Sequence, residues 1–129
     1  MDTVTAPVRF AVPEIDASAF SLPIVSAAVE GGVHRQTLSQ ARARVVRLAN
    51  VLLKLGVKPG DRVATLAWNT WRHFELYFAI SGIGAVCHTI NPRLFPEQMT
   101  YIVNHADDNL LFFDLTFAPL IEKLRGGFK

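Results

Sequence analysis

Residues 62–90 read RVATLAWNTWRHFELYFAISGIGAVCHTI, and this stretch decides the fold class. Its first seven residues form an apolar run that is typical of a strand buried on both faces. A helix capped by Asn69 or Thr70 follows and ends at Gly84. Residues 85–90 then form a second apolar strand, which we expect to be buried. Apolar strands joined by a helix indicate a parallel sheet with helices on both faces.

The segments on either side of this unit continue the alternation. Upstream, apolar residues recur at spacings of three and four and predict one helix stripe: Leu38, Ala41, Val45, Leu48, Leu52 and Leu55. Thr37 and Gln40 have the spacing of a capping box at its start, and Gly56 suits its end. Downstream, Pro96 opens a helix that ends near His105, residues 110–114 form a third strand, and residues 117–124 form a short helix. The order α-β-α-β-α-β-α predicts an α/β fold.

A short antiparallel ribbon precedes the first helix. Residues 24–26 and 33–35 flank Glu30-Gly31-Gly32, where glycine permits the positive φ that a tight hairpin needs. Residues 1–23 contain several prolines and show no sustained periodicity, so we expect an N-terminal arm there. The predicted organisation is an arm over residues 1–23 and one α/β unit over residues 24–129.

Length and composition exclude several classes of protein. The chain has 129 residues, a net charge of +2 and 50% hydrophobic residues, which suits a single folded domain. One cysteine, Cys87, cannot form an internal disulfide, and its apolar neighbours predict a buried thiol that is not a nucleophile. No uncharged stretch is long and apolar enough to span a bilayer, and no signal peptide is visible. We therefore expect a cytoplasmic protein.

Basic residues are concentrated in one block. Residues 31–62 contain seven basic residues and one acidic residue. This block could indicate nucleic-acid binding by a helix-turn-helix. However, Pro59-Gly60-Asp61 leads into a strand at the place where a recognition helix would have to follow. The small net charge also gives no broad electrostatic footprint. We expect no nucleic-acid partner.

The loops that follow the three strands are the place to seek a ligand site. Parallel sheets bind ligands outside the carboxyl ends of their strands. Three loops lie there: residues 68–70, 91–93 and 114–116. Arg93 is the only strong anion-binding group among them, and its guanidinium suits a phosphate. The alternative is that Arg93 pairs with an acid such as Glu97 or is simply solvated.

Other polar residues have simpler explanations. His88 lies on a strand and is better explained as a hydrogen-bonded core histidine than as a general base. Asp107 and Asp108 suit a turn between a helix and a strand. No glycine pattern matches a phosphate loop or a dinucleotide fingerprint. The four histidines are at least 15 residues apart and give no metal-site spacing.

An ordered run of segments resembles the N-terminal region of AMP-forming acyl-CoA synthetases, in the adenylate-forming superfamily. The match covers roughly residues 24–125 and is closer to the fatty-acyl branch than to the amino-acid-activating one. The segments that carry it are Glu30–Thr37, Leu48–Asn50, Leu55–Ala64, Asn69, Gly84–Val86, His88–Leu94 and Tyr101–Ala106.

The resemblance implies an activity for a longer parent protein. Such a ligase activates a carboxylic acid, here a fatty acid, with ATP and Mg2+ to an acyl-adenylate and transfers the acyl group to CoA. Arg93 would contact a phosphate of CoA. The family's Thr/Ser/Gly-rich loop ending in Pro-Lys-Gly, its Thr-Glu and Tyr-x-Thr-Gly-Asp segments and its C-terminal lysine do not occur in the 129 residues. We therefore expect a partial N-terminal subdomain that contains no catalytic residue, needs no cofactor and is inactive alone.

The alternative is a free-standing, non-catalytic α/β interaction or dimerisation module. A fragment should self-associate through the surface that its missing partner covers, whereas an evolved module should be monodisperse.

Overall fold

The structure is a computed structural model that describes residues 21–129. Most of the expected arm over residues 1–23 lies outside the described residues, and the first strand already begins at Pro23. The strands are β1 (Pro23–Ala27), β2 (Val33–Thr37), β3 (Arg62–Leu66), β4 (Val86–Thr89) and β5 (Leu110–Phe113). The helices are α1 (Leu38–Lys54), α2 (Trp71–Gly82), α3 (Pro96–Ala106) and α4 (Ala118–Leu124). The predicted ribbon and the predicted alternation of helices and strands are confirmed.

The ribbon is an antiparallel hairpin that leads directly into α1. β1 pairs with β2 so that Pro23 lies opposite Thr37 and Ala27 opposite Val33. Gly31 and Gly32 in the turn have φ values of 96° and 83°, which L side chains rarely adopt. The Thr37 hydroxyl then accepts the Gln40 N–H at 3.2 Å, and the Gln40 side chain accepts the Thr37 N–H at 2.8 Å. This reciprocal pair confirms the capping box that begins α1.

The three remaining strands form a parallel sheet in the order β4-β3-β5. β3 is central, with Thr65 opposite Thr89 on β4 and opposite Phe112 on β5. Alternate side chains of β3 enter two different cores because successive residues of a strand point to opposite faces. The sheet is therefore covered on both faces, as the sequence predicts.

One core lies between the sheet and helices α1 and α2. Its buried residues are Val45, Ala49, Leu52, Val57, Val63, Ala79, Ile80, Ile83 and Ala85. Leu55 was expected to complete the stripe of α1 but is 58% exposed. It lies after the last helical residue, and Ala49 takes a place in the core instead. Gly56 has a φ of 90° and follows the helix as the sequence predicts.

The second core lies between the other face of the sheet and helices α3 and α4. Its buried residues are Ala64, Leu66, Ile90, Met99 and Val103, and α4 contributes the half-buried Leu120, Ile121 and Leu124. The expectation that residues 85–90 form a buried strand is wrong for β4, because Val86 is 50% exposed. In the described residues β4 is an edge strand and has a neighbour on one side alone.

Candidate functional site

Trp68 joins the loops that follow β3 and β5. Its backbone N–H donates to Oδ2 of Asp114 at 2.7 Å, and its indole Nε1–H donates to Oγ1 of Thr116 at 3.0 Å. The indole also packs against Phe117, with ring centroids 5.0 Å apart. These contacts fill the space between the two loops and fix their positions.

A cleft of about 480 Å³ lies on the other side of the β3 loop, between the loops that follow β3 and β4. This is the carboxyl edge of the sheet, where the sequence predicts a ligand site. The residues that line the cleft are Ala67, Trp68, Asn69, His73, Tyr77, Thr89, Ile90, Asn91, Pro92 and Arg93. No Asp or Glu is among them, so Arg93 gives the cleft a positive charge.

The Arg93 guanidinium is exposed and has no acidic partner in the described part of the chain. The ion pair with Glu97, one of the sequence alternatives, is absent from the salt bridges that residues 21–129 form. The Arg93 backbone N–H donates to Oδ1 of Asn91 at 3.0 Å, which holds the loop in a tight turn. A guanidinium that is not neutralised by a carboxylate retains its capacity for a phosphate. The contact between Arg93 and a CoA phosphate stays a prediction.

His73 forms the floor of the cleft. Its Nε2 lies 2.9 Å from Oγ1 of Thr65 on β3, and its ring stacks on Tyr77 with centroids 4.7 Å apart. Burial lowers the pKa of His73, and the smaller effects of the Asp114 charge and the Trp68 backbone oppose this shift. The imidazole is therefore neutral at neutral pH and offers the cleft hydrogen bonds without a charge.

Sequence reasoning did not single out His73 or Tyr77. The feature of the sequence that could have pointed to His73 was Thr65, a residue with a hydroxyl group inside an otherwise apolar strand. Thr65 is completely buried, and a buried hydroxyl requires a hydrogen-bond partner. The next helix supplies that partner in its first turn, at His73.

His88 and Asp108 form a second polar pair. Nδ1 of His88 lies 2.8 Å from Oδ2 of Asp108. The expectation of a hydrogen-bonded His88 is confirmed, although the ring is only partly buried. Burial raises the pKa of Asp108, while the hydrogen bond from His88 and the charges of His88 and Arg62 act against this rise. Asp107 is the turn residue that the sequence predicts, with a φ of 57°, whereas Asp108 pairs with a neighbouring strand, which the sequence reading missed.

Cys87 packs against the core beside α1 and α2. Burial raises the pKa of its thiol, which keeps it protonated. Cys87 thus packs as the small apolar side chain that the sequence predicts, but it is only partly buried and not fully buried as expected.

A model of the AMP-binding enzyme family matches residues 15–127. The chain belongs to the AMP-binding enzyme family. It is 55% identical over 102 residues to a 3-methylmercaptopropionyl-CoA ligase of Ruegeria lacuscaerulensis, a match that covers 79% of this chain and 19% of that protein. It is 50% identical over 104 residues to a medium-chain-fatty-acid–CoA ligase of Ectopseudomonas oleovorans, covering 81% of this chain and 19% of that protein. The chain thus spans about a fifth of the length of the curated relatives it matches.

Solved structures of this AMP-binding family show the same fold. The inhibitor-bound N-terminal domain of FACL13 from Mycobacterium tuberculosis superposes with a TM-score of 0.70 and 30% identity, covering 74% of this chain and 26% of that chain. The anthranilate CoA ligase AuaEII in complex with anthranoyl-AMP has a TM-score of 0.70 and 30% identity over 73% of this chain and 18% of that chain. The predicted resemblance to adenylate-forming CoA ligases is confirmed.

The described residues fit some ligands of such an enzyme and not others. Arg93 in its cleft fits a phosphate group. No group of three His, Cys, Asp or Glu residues within 21–129 is arranged to hold a metal ion, so these residues offer no metal site formed by protein ligands alone. No helix among the same residues is long and apolar enough to cross a membrane.

Proposed function

We propose that this chain is the N-terminal portion of a fatty-acid–CoA ligase. The identity of 50% or more to CoA ligases over about 100 residues carries the proposal. The two curated relatives named above and AuaEII are all named CoA ligases, which supports a carboxylate substrate. We place the parent protein inside the cell, because the proposed reaction consumes ATP and CoA, which are intracellular metabolites.

The proposed reaction has two steps. A carboxylate oxygen attacks the α-phosphorus of ATP, and pyrophosphate leaves with the electron pair of the broken P–O bond. The thiol sulfur of CoA then attacks the carbonyl carbon of the acyl-adenylate, loses its proton and expels AMP. Mg2+ would neutralise the phosphates of ATP during the first step, held by residues other than those described here.

This chain contributes binding to the second step. Arg93 is the cation in the cleft that would bind a phosphate of CoA. Binding there would hold CoA in position, and attack by its thiol then becomes effectively unimolecular. Asn91 orients the loop that carries Arg93. None of the 129 residues is assigned to adenylate formation, so the chain by itself is expected to be inactive.

The decisive experiment measures fatty-acid-dependent exchange of labelled pyrophosphate into ATP, with the complete gene product and with the 129-residue chain in parallel. We expect exchange by the complete protein and none by the chain. Exchange by the isolated chain would refute the absence of catalytic residues from it. An inactive complete protein, assayed with acids of short, medium and long chain, would refute the ligase assignment.

We also propose that the isolated chain self-associates. The exposed Val86 on β4 and Phe113 on β5 lie on the two outer strands of the sheet. Exposed apolar strand edges favour pairing with another chain. Light scattering across a concentration series should show dimers or larger species, and Val86→Lys should shift the chain towards the monomer. A monodisperse monomer at all concentrations would instead support the free-standing module.

A further inference from the structure

One face of α1 carries positive charge that the described part of the chain neutralises only in part. Arg44, Arg47, Val51 and Lys54 are all exposed and follow one another at intervals of three or four residues, so they form one stripe, the outer stripe of α1. The 17 residues of this helix include no acidic residue. Within residues 21–129 Arg44 pairs with Glu75, whereas Arg47 and Lys54 form no ion pair.

A pocket of about 230 Å³ opens on this stripe. The residues that line it are Arg44, Arg47, Leu48, Val51 and Glu75. Since the Glu75 carboxylate is already held by Arg44 and Gln36, the Arg47 guanidinium is the charge that remains for a partner. Leu48 and the 48% exposed Val51 add an apolar wall. The surface therefore fits a segment that brings both carboxylates and apolar side chains.

The first 20 residues of the chain have this chemistry. Their charged residues are three acids, Asp2, Glu14 and Asp16, and one base, Arg9. Their apolar residues include Val4, Val8, Phe10, Val12, Ile15 and Phe20. Most of this segment precedes residue 15, where the match to the AMP-binding family begins, and the proposed ligase reaction gives it no part.

This segment joins the described fold beside the start of α1. The Leu38 N–H donates to the carbonyl oxygen of Leu22 at 3.3 Å, so the chain enters the ribbon next to the first residue of the helix. Arg47 lies on the opposite side of α1, and a helix of about 10 Å diameter that rises 1.5 Å per residue places it roughly 17 Å from Leu38. Glu14 and Asp16 precede Leu22 by eight and six residues, which in an extended chain reach about 26 and 20 Å. Both carboxylates can therefore reach Arg47.

We propose that residues 1–20 dock on the outer stripe of α1. The carboxylates of Glu14 and Asp16 lie beside Arg47, and apolar side chains of the segment pack against Leu48 and Val51. Weak contacts are sufficient, because a short covalent linker gives the segment an effective concentration on the order of a millimolar. The proposal involves neither ATP nor CoA and does not rest on the proposed ligase activity.

The test uses a nitroxide spin label on the 129-residue chain. The label is attached at Ala11→Cys, and Cys87→Ala leaves the chain with this single thiol. A nitroxide broadens the backbone amide resonances of residues close to it. Docking should broaden residues 44–54 and spare the exposed residues of α3, because α1 and α3 lie on opposite faces of the sheet. Broadening that is absent from residues 44–54, or equal on α3, would overturn the proposal.

Arg47→Glu tests the charge on the stripe. It replaces an attraction by a repulsion and should lower the broadening about two- to fivefold, as expected for an exposed ion pair. Arg42→Glu is the matched control, since Arg42 is exposed on α1 but lies about 140° around the helix from Arg47. It should leave the broadening unchanged, and equal losses in the two variants would exclude the outer stripe as the docking surface.

A charge swap tests the pairing itself. Glu14→Lys together with Asp16→Lys alters no described residue and should give the same loss as Arg47→Glu, so this variant decides if Arg47→Glu does not fold. All three substitutions in one chain should restore most of the broadening. No recovery in the swapped chain would refute the pairing.

A mixing experiment distinguishes docking within one chain from docking between two copies. Spin-labelled chain is mixed with isotope-labelled chain that carries no nitroxide, at the same total concentration. Residues 44–54 of the isotope-labelled chain should then show no broadening. Broadening there would place the segment on a second copy and would overturn docking within one chain.

Discussion

Nε of Arg44 lies between the two carboxylate oxygens of Glu75, 2.8 Å from Oε1 and 3.0 Å from Oε2. The Glu75 side chain is almost fully buried, whereas that of Arg44 is 43% exposed. Nε2 of Gln36 on the ribbon donates to the same carboxylate at 3.3 Å. One buried charge therefore connects α1, α2 and the ribbon. The Arg44 guanidinium also lies 4.5 Å from the centre of the Trp71 ring, which adds a cation–π contact at the same junction.

Arg44→Met should destabilise the chain by about 1–3 kcal/mol. The substitution keeps most of the apolar contact with Trp71. Among the described residues it leaves the buried Glu75 carboxylate with the Gln36 amide as its one side-chain partner, and a lost charged hydrogen bond costs about this much. Urea unfolding measures the change. Arg42→Met, an exposed position on the same helix, is the control and should stay within about 0.5 kcal/mol of the unaltered chain. Equal effects of the two substitutions would contradict this role of Arg44.

Gly84→Ala should cost about 1–2 kcal/mol. Gly84 has a φ of 81°, and a Cβ there would lie 3.3 Å from Cβ of Pro59. An L side chain in this left-handed region is strained by about that amount. Gly126→Ala is the matched control, because its backbone has no positive φ and its added Cβ would contact nothing within 4 Å. Urea unfolding should separate the two variants, and a neutral Gly84→Ala would show that the turn relaxes.

The stability of the chain should fall as the pH drops through the range in which histidine titrates. The pKa of His73 is lowered from 6.5 in the folded chain. Below about pH 6.5, His73 therefore takes up a proton more readily in the unfolded chain than in the folded one. Acid thus favours unfolding, and the loss of stability due to His73 is complete once the pH has fallen below the lowered pKa. His73→Gln should flatten the decline in unfolding free energy between about pH 7.5 and pH 5. His105→Gln, at an exposed ring on α3, should retain the slope of the unaltered chain. An identical slope in His73→Gln would exclude this residue as the cause.

The strand and helix order was predictable because it depends on local patterns. The capping box at Thr37, Pro96 at the start of α3 and the apolar run of β3 each determine their own element without distant contacts. Burial was less predictable, because it depends on neighbours that a local pattern does not name. Val86 belongs to an apolar run like that of β3, yet its strand lies at an edge.

The candidate site was only partly predictable for the same reason. Topology places the loop of Arg93 at the carboxyl ends of the strands, and this required no side-chain detail. The pairing of His73 with Thr65 spans eight positions, and that of His88 with Asp108 spans twenty. Such pairs depend on the register of β3 against its neighbouring strands and on how α2 packs against the sheet. The sequence of one segment alone does not determine either of these.

The last prediction concerns Arg93 in the complete protein. Arg93→Ala should raise the KM for CoA by roughly tenfold, because an exposed charged hydrogen bond to phosphate is worth on the order of 1.4 kcal/mol. Fatty-acid-dependent pyrophosphate exchange should change little, since that step takes place before CoA reacts. Arg93→Lys should recover part of the loss, because it restores the charge without the guanidinium fork.

Pantetheine, which has the thiol of CoA but lacks its nucleotide phosphates, gives a sharper control. The unaltered enzyme should prefer CoA to pantetheine, and Arg93→Ala should reduce that preference by about the same tenfold factor. The KM for pantetheine itself should be the same in both proteins, because the residue contacts phosphate and not the thiol arm. A KM for CoA that does not respond to the substitution would exclude Arg93 from the CoA site. A parallel loss with CoA and with pantetheine would mean that Arg93 supports the cleft itself and does not recognise the phosphate.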